Sequence, residues 1–490
     1  MSHESPSTHA RAHAPAPSAH PRRGRLLAVL CLAQFMLIAD VTVVNVALPT
    51  IGAELGLSSG ALTWTVTAYT LFFGSLLLLG GRLADAVGPR RTFLAGLLLF
   101  TAASVGCGLA SGAGVLVTAR SVQGVGAALM SPAAMALVLT LFHGADRHRA
   151  LSVWAAIGGS GAAVGVLLGG LFTAGPGWEW VFFLNVPVGL LAAAAVTALL
   201  GRTPGTGRPA APARPDLPGA LALTATPALL VYGLTQARDH GFGDPAAWLP
   251  LAASVLACAV FVAIERTVKH PLVRLTVLTR RPLVGGSLVM LAASGLLISA
   301  FFLNSFYAQR VMNASALETG LAFLPVAVAV ALGAHLGARA VRSLGWRPVG
   351  AAGFLLTAAG AFLLTGMDSG SGTWSSLVPG FTLFSLGMGP VFVCATTAAT
   401  SGLPHQDGGL ASGLVNTAHE LGAALGIAAL AALAGAALEA GPGNGAPVDA
   451  GGFGTAFTAC ALVAAAAAIA SVFLLPSGRP DPAQGPVMVH

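Results

Sequence analysis

Residues Cys31 to Pro49 read CLAQFMLIADVTVVNVALP, an apolar run that holds one acid, Asp40, and no base. A helix through this run is long enough to cross a bilayer at about 1.5 Å per residue. Fourteen residues lie between Asp40 and the charge at Arg25, which sets the acid well inside the span. A carboxylate there costs roughly 2.5 to 3.5 kcal/mol on insertion scales, so it is kept where it faces a watery cavity, pairs with another group or carries protons. An acid solvated by nearby head groups is the plainer alternative.

The chain around this run has 490 residues, 55% of them hydrophobic and 8% charged, with mean hydropathy +0.81. A soluble protein of that composition would expose large apolar patches, so the sequence predicts an all-α integral membrane protein. Barrel strands are excluded because the apolar runs span about 20 residues without alternation, and a helix satisfies its own backbone in lipid. The runs fall near 26–48, 62–81, 92–110, 115–141, 150–173, 180–200, 218–236, 246–264, 283–308, 317–338, 348–367, 375–402, 409–437 and 453–475, which predicts fourteen spans.

Charge gives the orientation. With the N-terminus inside, twenty-one Lys and Arg fall on the cytosolic side and two, Arg238 and Arg310, outside, with Arg120 left within a span. This positive-inside bias accounts for the net charge of +7 and pI near 9.8, and it argues against nucleic acid as a partner. Both termini are expected in the cytosol. Residues 1–25 are polar and read as a disordered tail, 26–200 as a six-helix bundle, 201–281 as a linker with two extra spans, 282–475 as a second six-helix bundle and 476–490 as a second tail. His3, His9, His13 and His20 are irregularly spaced and fit a solvated tail better than a metal site. The five cysteines fall in five different spans, as small hydrophobes do. GRLADAVGPRR after the second span is echoed by GARAVRSLGWR after the tenth, an internal repeat common in secondary transporters.

The first of these loops carries Gly81, Asp85, Gly88, Arg90 and Arg91. An acid among arginines can latch a turn; an ordinary positive-inside turn is the alternative. The loop resembles the best-known motif of the major facilitator superfamily. LIADVTVVNVALPTI from Leu37, ARSVQGVGAA from Ala119, WEWVFFLNVPVG from Trp178, HPLVRLTVLTRR from His270 and YAQRVMNASALETGLAFLP from Tyr307 narrow the resemblance to its fourteen-span drug:proton antiporters. That resemblance implies a major facilitator fold of two six-helix bundles plus two extra spans in a bacterial cytoplasmic membrane.

Arg120 lies about 7 Å into the fourth span and Asp40 about 21 Å from the inner end of a core of about 30 Å, which sets them at similar depth. Arg120 is then expected to tune a proton site carried by Asp40; two separately solvated charges are the alternative. Gln34 and Asn45 are nearly three turns apart, so with Asp40 they give the first span a broad polar arc that fits a cavity wall or a helix contact. Gln123 lies one turn from Arg120. Gly161, Gly165 and Gly169 repeat every four residues beside Gly170, a face for close helix packing that resembles the family's antiporter motif, with Val166 where the family has proline. In the thirteenth span Ser412, Asn416 and Glu420 align on one face beside His419, and Glu420 is a second intramembrane acid. A second proton site, a contact for a cationic substrate and a packing seam all fit it.

No nucleotide-binding G-x-x-x-x-G-K-[ST] loop exists, since the single lysine is Lys269. The reading is therefore a secondary active transporter and not an enzyme. No cofactor or metal is expected; a proton gradient would supply the energy, with the bilayer, protons and an amphipathic small molecule as partners. Phe306 and Tyr307 join Gln34, Asn45, Gln123 and Asn416 as expected cavity residues. Export of drugs or antibiotics by alternating access is the leading expectation, followed by a dedicated exporter of one antibiotic or metabolite and by a proton-linked nutrient importer.

Overall fold

The computed structural model describes residues 21–142, 144–200, 216–241, 243–269, 271–273, 275–367, 372–402, 408–438 and 450–479. The N-terminal histidines, residues 201–215 of the linker and the last eleven residues lie outside the described residues.

Every described element is helical: α1 (Pro21–Glu54), α2 (Ser59–Val87), α3 (Pro89–Gly108), α4 (Ala113–Leu141), α5 (Gly144–Ala174), α6 (Glu179–Phe183), α7 (Asn185–Leu200), α8 (Leu217–His240), α9 (Pro245–Thr267), α10 (Arg281–Phe306), α11 (Ala316–Leu344), α12 (Trp346–Thr365), α13 (Val378–Thr400), α14 (Gly408–Ala434) and α15 (Ala450–Leu474). Among the described residues thirteen stretches are long and apolar enough to cross a membrane, one of them joining α6 and α7 as Glu179–Leu200. The remaining expected span is α5, in which Gly161–Ala174 is a shorter apolar stretch among the described residues. α1 is described from Pro21, so the last five residues of the expected tail are helical.

Caps set the other ends. The Ser58 side chain accepts a hydrogen bond from Ala61 N, and Ser315 and Glu318 form a reciprocal capping box at the start of α11. Gly88, at φ 101°, separates α2 from α3, and Gly345, at φ 89°, separates α11 from α12. Both turns need the backbone freedom of glycine, and they sit at matching places in the two echoing loops.

The repeat extends to the packing. α2 and α3 both pack on α4, α1 packs on α5, and α7 touches α1 and α3; likewise α11 and α12 pack on α13, α10 on α14, and α15 touches α10 and α12. The halves meet through α2 against α14 and α5 against α11, helices at exchanged positions of the repeat. α8 and α9 pair with each other, and α8 lies along both α2 and α14. Burial follows this plan: 78% of the α2 core stretch is buried against 11% of α9, whose Trp248, Leu249, Val255 and Leu256 face outward. Such apolar surface is stable only in lipid.

At the arginine-poor end the halves are joined by Ser305 Oγ donating to Asn45 O at 2.7 Å and Gln309 Nε2 donating to Val46 O at 2.8 Å. Gly170 of α5 adds to this closure, since a Cβ there would lie 2.8 Å from Ala316 O of α11.

Candidate functional site

Five helices bring polar atoms to one buried point. Arg120 and Gln123 are one turn apart on α4 and so share a face. Arg120 Nη1 donates to Asp40 Oδ2 at 2.5 Å, while Gln123 Nε2 at 3.1 Å and Asn185 Nδ2 at 3.0 Å both donate to Asp40 Oδ1. Arg120 is held in turn by Gln123 Oε1 at 2.8 Å and by Thr65 O of α2 at 3.0 Å. Ser104 Oγ of α3 accepts from Gln123 Nε2 at 2.9 Å. The Tyr69 ring of α2 lies 4.3 Å from the Arg120 guanidinium carbon, a cation–π contact.

Asp40 is 2% exposed and Arg120 fully buried, and theirs is the one ion pair among the described residues. Removing one partner of a buried pair costs about 3–5 kcal/mol, because the other charge is left uncompensated. Arg120 Nη2 and the Tyr69 hydroxyl have no hydrogen-bond partner, which leaves donors unspent at the same point.

Glu420 lies elsewhere. Its backbone and Cβ sit against Gly74 of α2, where a glycine Cβ would come within 3.3 Å of Leu421 N, so it occupies the seam between the halves. Tyr69 lies within electrostatic range of both Asp40 and Glu420, and His419 packs its ring 5.8 Å from that of Phe392. Asn416 is exposed, and Gln34 Oε1 and Asn45 Oδ1 are buried without a hydrogen-bond partner.

The glycine stripe divides between two contacts. Gly161 meets Ile38, Gly165 meets Thr42 and Ala39, and Gly169 meets Val43 and Val46, all on α1 of the same half; Gly170 alone faces α11. The close-packing face is thus mainly a contact within one half that holds α5 to α1. Asp85 forms no ion pair with Arg90 or Arg91 among the described residues; Arg82 makes the long-range bond instead, donating from Nη2 to Pro271 O at 2.8 Å. Gly81 faces Pro132 of α4.

The sequence pattern of the Major Facilitator Superfamily matches residues 30–427, which include every helix of the Asp40 site. The chain belongs to the major facilitator superfamily. Membership places it among transporters and not among enzymes. This major facilitator protein is 38% identical over 414 residues to puromycin resistance protein pur8 of Streptomyces alboniger, covering 84% of this chain and 81% of that one. It is 36% identical over 469 residues to the cephamycin export protein CmcT of Amycolatopsis lactamdurans, covering 95% and 94% respectively. Among solved structures, an auto inhibited POT family peptide transporter superposes with a TM-score of 0.64 at 16% identity over 94% of this chain and 99% of that one, a likeness of fold.

Within this major facilitator fold, Phe306 and Tyr307 are core residues, 0% and 1% exposed. Arg310 lies 5.0 Å from the Phe306 ring, and Tyr307 packs edge-on at 5.2 Å against Phe453 of α15. Sequence reasoning missed Asn185, Ser104 and Tyr69. Asn185 had a visible signal, an amide at the head of an apolar run in WEWVFFLNVPVG; serine and tyrosine are too common in spans to stand out.

Proposed function

We propose that this protein is a fourteen-span proton-coupled antiporter that exports amphipathic drugs or antibiotics across a bacterial cytoplasmic membrane. The observation that carries this reading is the buried Asp40–Arg120 pair, a charge switch placed in a transporter fold with no nucleotide-binding loop in the chain. The names of the relatives, a puromycin resistance protein and a cephamycin export protein, support an antibiotic-like substrate.

Both termini are taken as cytosolic from the arginine distribution. Residues 26–200 and 282–475 would be the two bundles that rock about a midplane site, with 201–281 carrying the extra hairpin. Protonation of Asp40 from outside removes its attraction for Arg120. That frees the guanidinium, and a reopened path to the cytosol lets the proton leave as substrate is taken up. Glu420, at the α2–α14 seam, is a second candidate for a proton or for the charge of a cationic substrate, with Gln34, Asn45 and Asn416 as contacts. The closure between Asn45, Val46, Ser305 and Gln309 fits a state sealed on the outer side.

Everted vesicles with an imposed pH gradient test this reading. Lipophilic cations and neutral antibiotics are added in turn to vesicles of the native protein and of Asp40→Asn. Collapse of the gradient by some compounds, abolished in the variant, establishes antiport through Asp40. Proton flux retained in the variant moves the carrier elsewhere, and a response to a single compound makes the protein a dedicated exporter.

A further inference from the structure

The two extra helices carry a feature that the transport cycle above does not use. α8 rests on the α2–α14 seam through a small apolar cluster in which Leu78 of α2 and Ala220 of α8 pack with Leu272 and Val273, backed by Leu410 and Leu414 of α14. Residues 271–273 follow α9 as a short strap, tied down twice. Arg82 Nη2 donates to Pro271 O at 2.8 Å, and Val273 N donates to Glu265 Oε2 at 3.0 Å. Glu265 lies in the last turn of α9, and Asp216 caps α8, its Oδ1 accepting from Gly219 N at 2.9 Å. Asp216 is 4% exposed and Glu265 5%.

Each carboxylate has one oxygen committed and one unspent. Asp216 Oδ2 and Glu265 Oε1 are both buried without a hydrogen-bond partner, and both face Gly219, where a Cβ would lie 2.5 Å from the first and 3.0 Å from the second. The charged groups that act on Glu265 are Asp216 and Arg82, and Arg82 spends a donor on the strap. Arg266 and Lys269 nearby are exposed.

We propose that Asp216 and Glu265 bind a single proton between them, and that this proton holds the strap, and with it the extra hairpin, on the α2–α14 seam. Two facing buried carboxylates resist being charged together. One proton satisfies both unspent oxygens at once, since the protonated group donates to the other's acceptor. Loss of that proton sets two negative charges against each other at the point where Glu265 grips Val273. The strap then releases. The arrangement makes the hairpin a pH-sensitive clamp on a seam between the halves, whether or not export is driven by protons.

The single lysine of the chain, Lys269, lies exposed beside the strap and supplies the test. A lysine-specific protease is applied to the full-length protein in nanodiscs across a pH series, with the rate divided by that for the unfolded chain at each pH. Cleavage follows the open population when opening is fast. The native rate is expected to rise with pH, by at most about tenfold per unit for release of one proton. Asp216→Asn and Glu265→Gln keep the cap and the strap bond while supplying a permanent donor. Each is expected to stay at the slow rate throughout. Arg82→Ala should raise the rate at every pH and leave the slope unchanged. A native rate independent of pH, the native slope retained in both carboxamide variants, or a rate that follows sodium in place of pH overturns the proposal.

Discussion

Asp40 on α1 and Arg120 on α4 are 80 positions apart in the chain and meet at 2.5 Å with neither side chain exposed. Such a pair is stable only as a unit. Arg120→Ala is expected to destabilise the protein by about 3–5 kcal/mol, while adding Asp40→Asn to it restores part of the loss, because the orphaned charge is gone. Thermal unfolding of the two single variants and the double variant checks this; additive losses would show that the charges are solvated separately.

Asn185 shares Asp40 Oδ1 with Gln123, so Asn185→Leu removes a bond to a charged group worth about 1.5–3 kcal/mol. Substrate-driven proton flux should fall well below native while membrane insertion is unchanged. Asn185→Asp should be worse, since it places a second acid against Asp40.

Glycines in one stripe should differ in tolerance. A Cβ at Gly161 meets side chains, Ile38 at 3.1 Å and Phe35 at 3.6 Å, whereas at Gly165 it overlaps the Thr42 hydroxyl and comes to 3.0 Å from the Ala39 backbone. Gly161→Ala is expected to unfold within a degree or two of native, and Gly165→Ala to lose about 1–3 kcal/mol as α5 is pushed from α1. Equal thermal shifts for the two would argue that α1 and α5 are not in fixed contact.

Ser305 and Gln309 tie α10 to the backbone of Asn45 and Val46. Ser305→Ala with Gln309→Ala should open that end more often. Cys107, fully buried with Sγ 3.6 Å from Gln123 Oε1, reports it: its maleimide labelling, located by mass spectrometry, is expected to rise several-fold over the native rate.

The membrane class, the spans, the loop motif and most of the charged site were legible in the sequence. Hydropathy and helical spacing are local properties that lipid enforces on each segment separately, so Asp40, Arg120 and Glu420 stood out as misfits within apolar runs. That Asp40 and Arg120 lie at matching levels was legible for the same reason, since rise per residue is constant.

Partnership was decided only by the tertiary structure. Helical spacing says which residues share a face and says nothing of which helix that face meets. Hence Asn185, Ser104 and Tyr69 joined the site unannounced, the glycine stripe turned mainly to α1 with Gly170 facing α11, and Arg82 made the bond to the strap. The sequence by itself determined that buried charges must exist and roughly how deep; which groups neutralise them depends on how helices pack around one another, where contacts between segments far apart in the chain set the register.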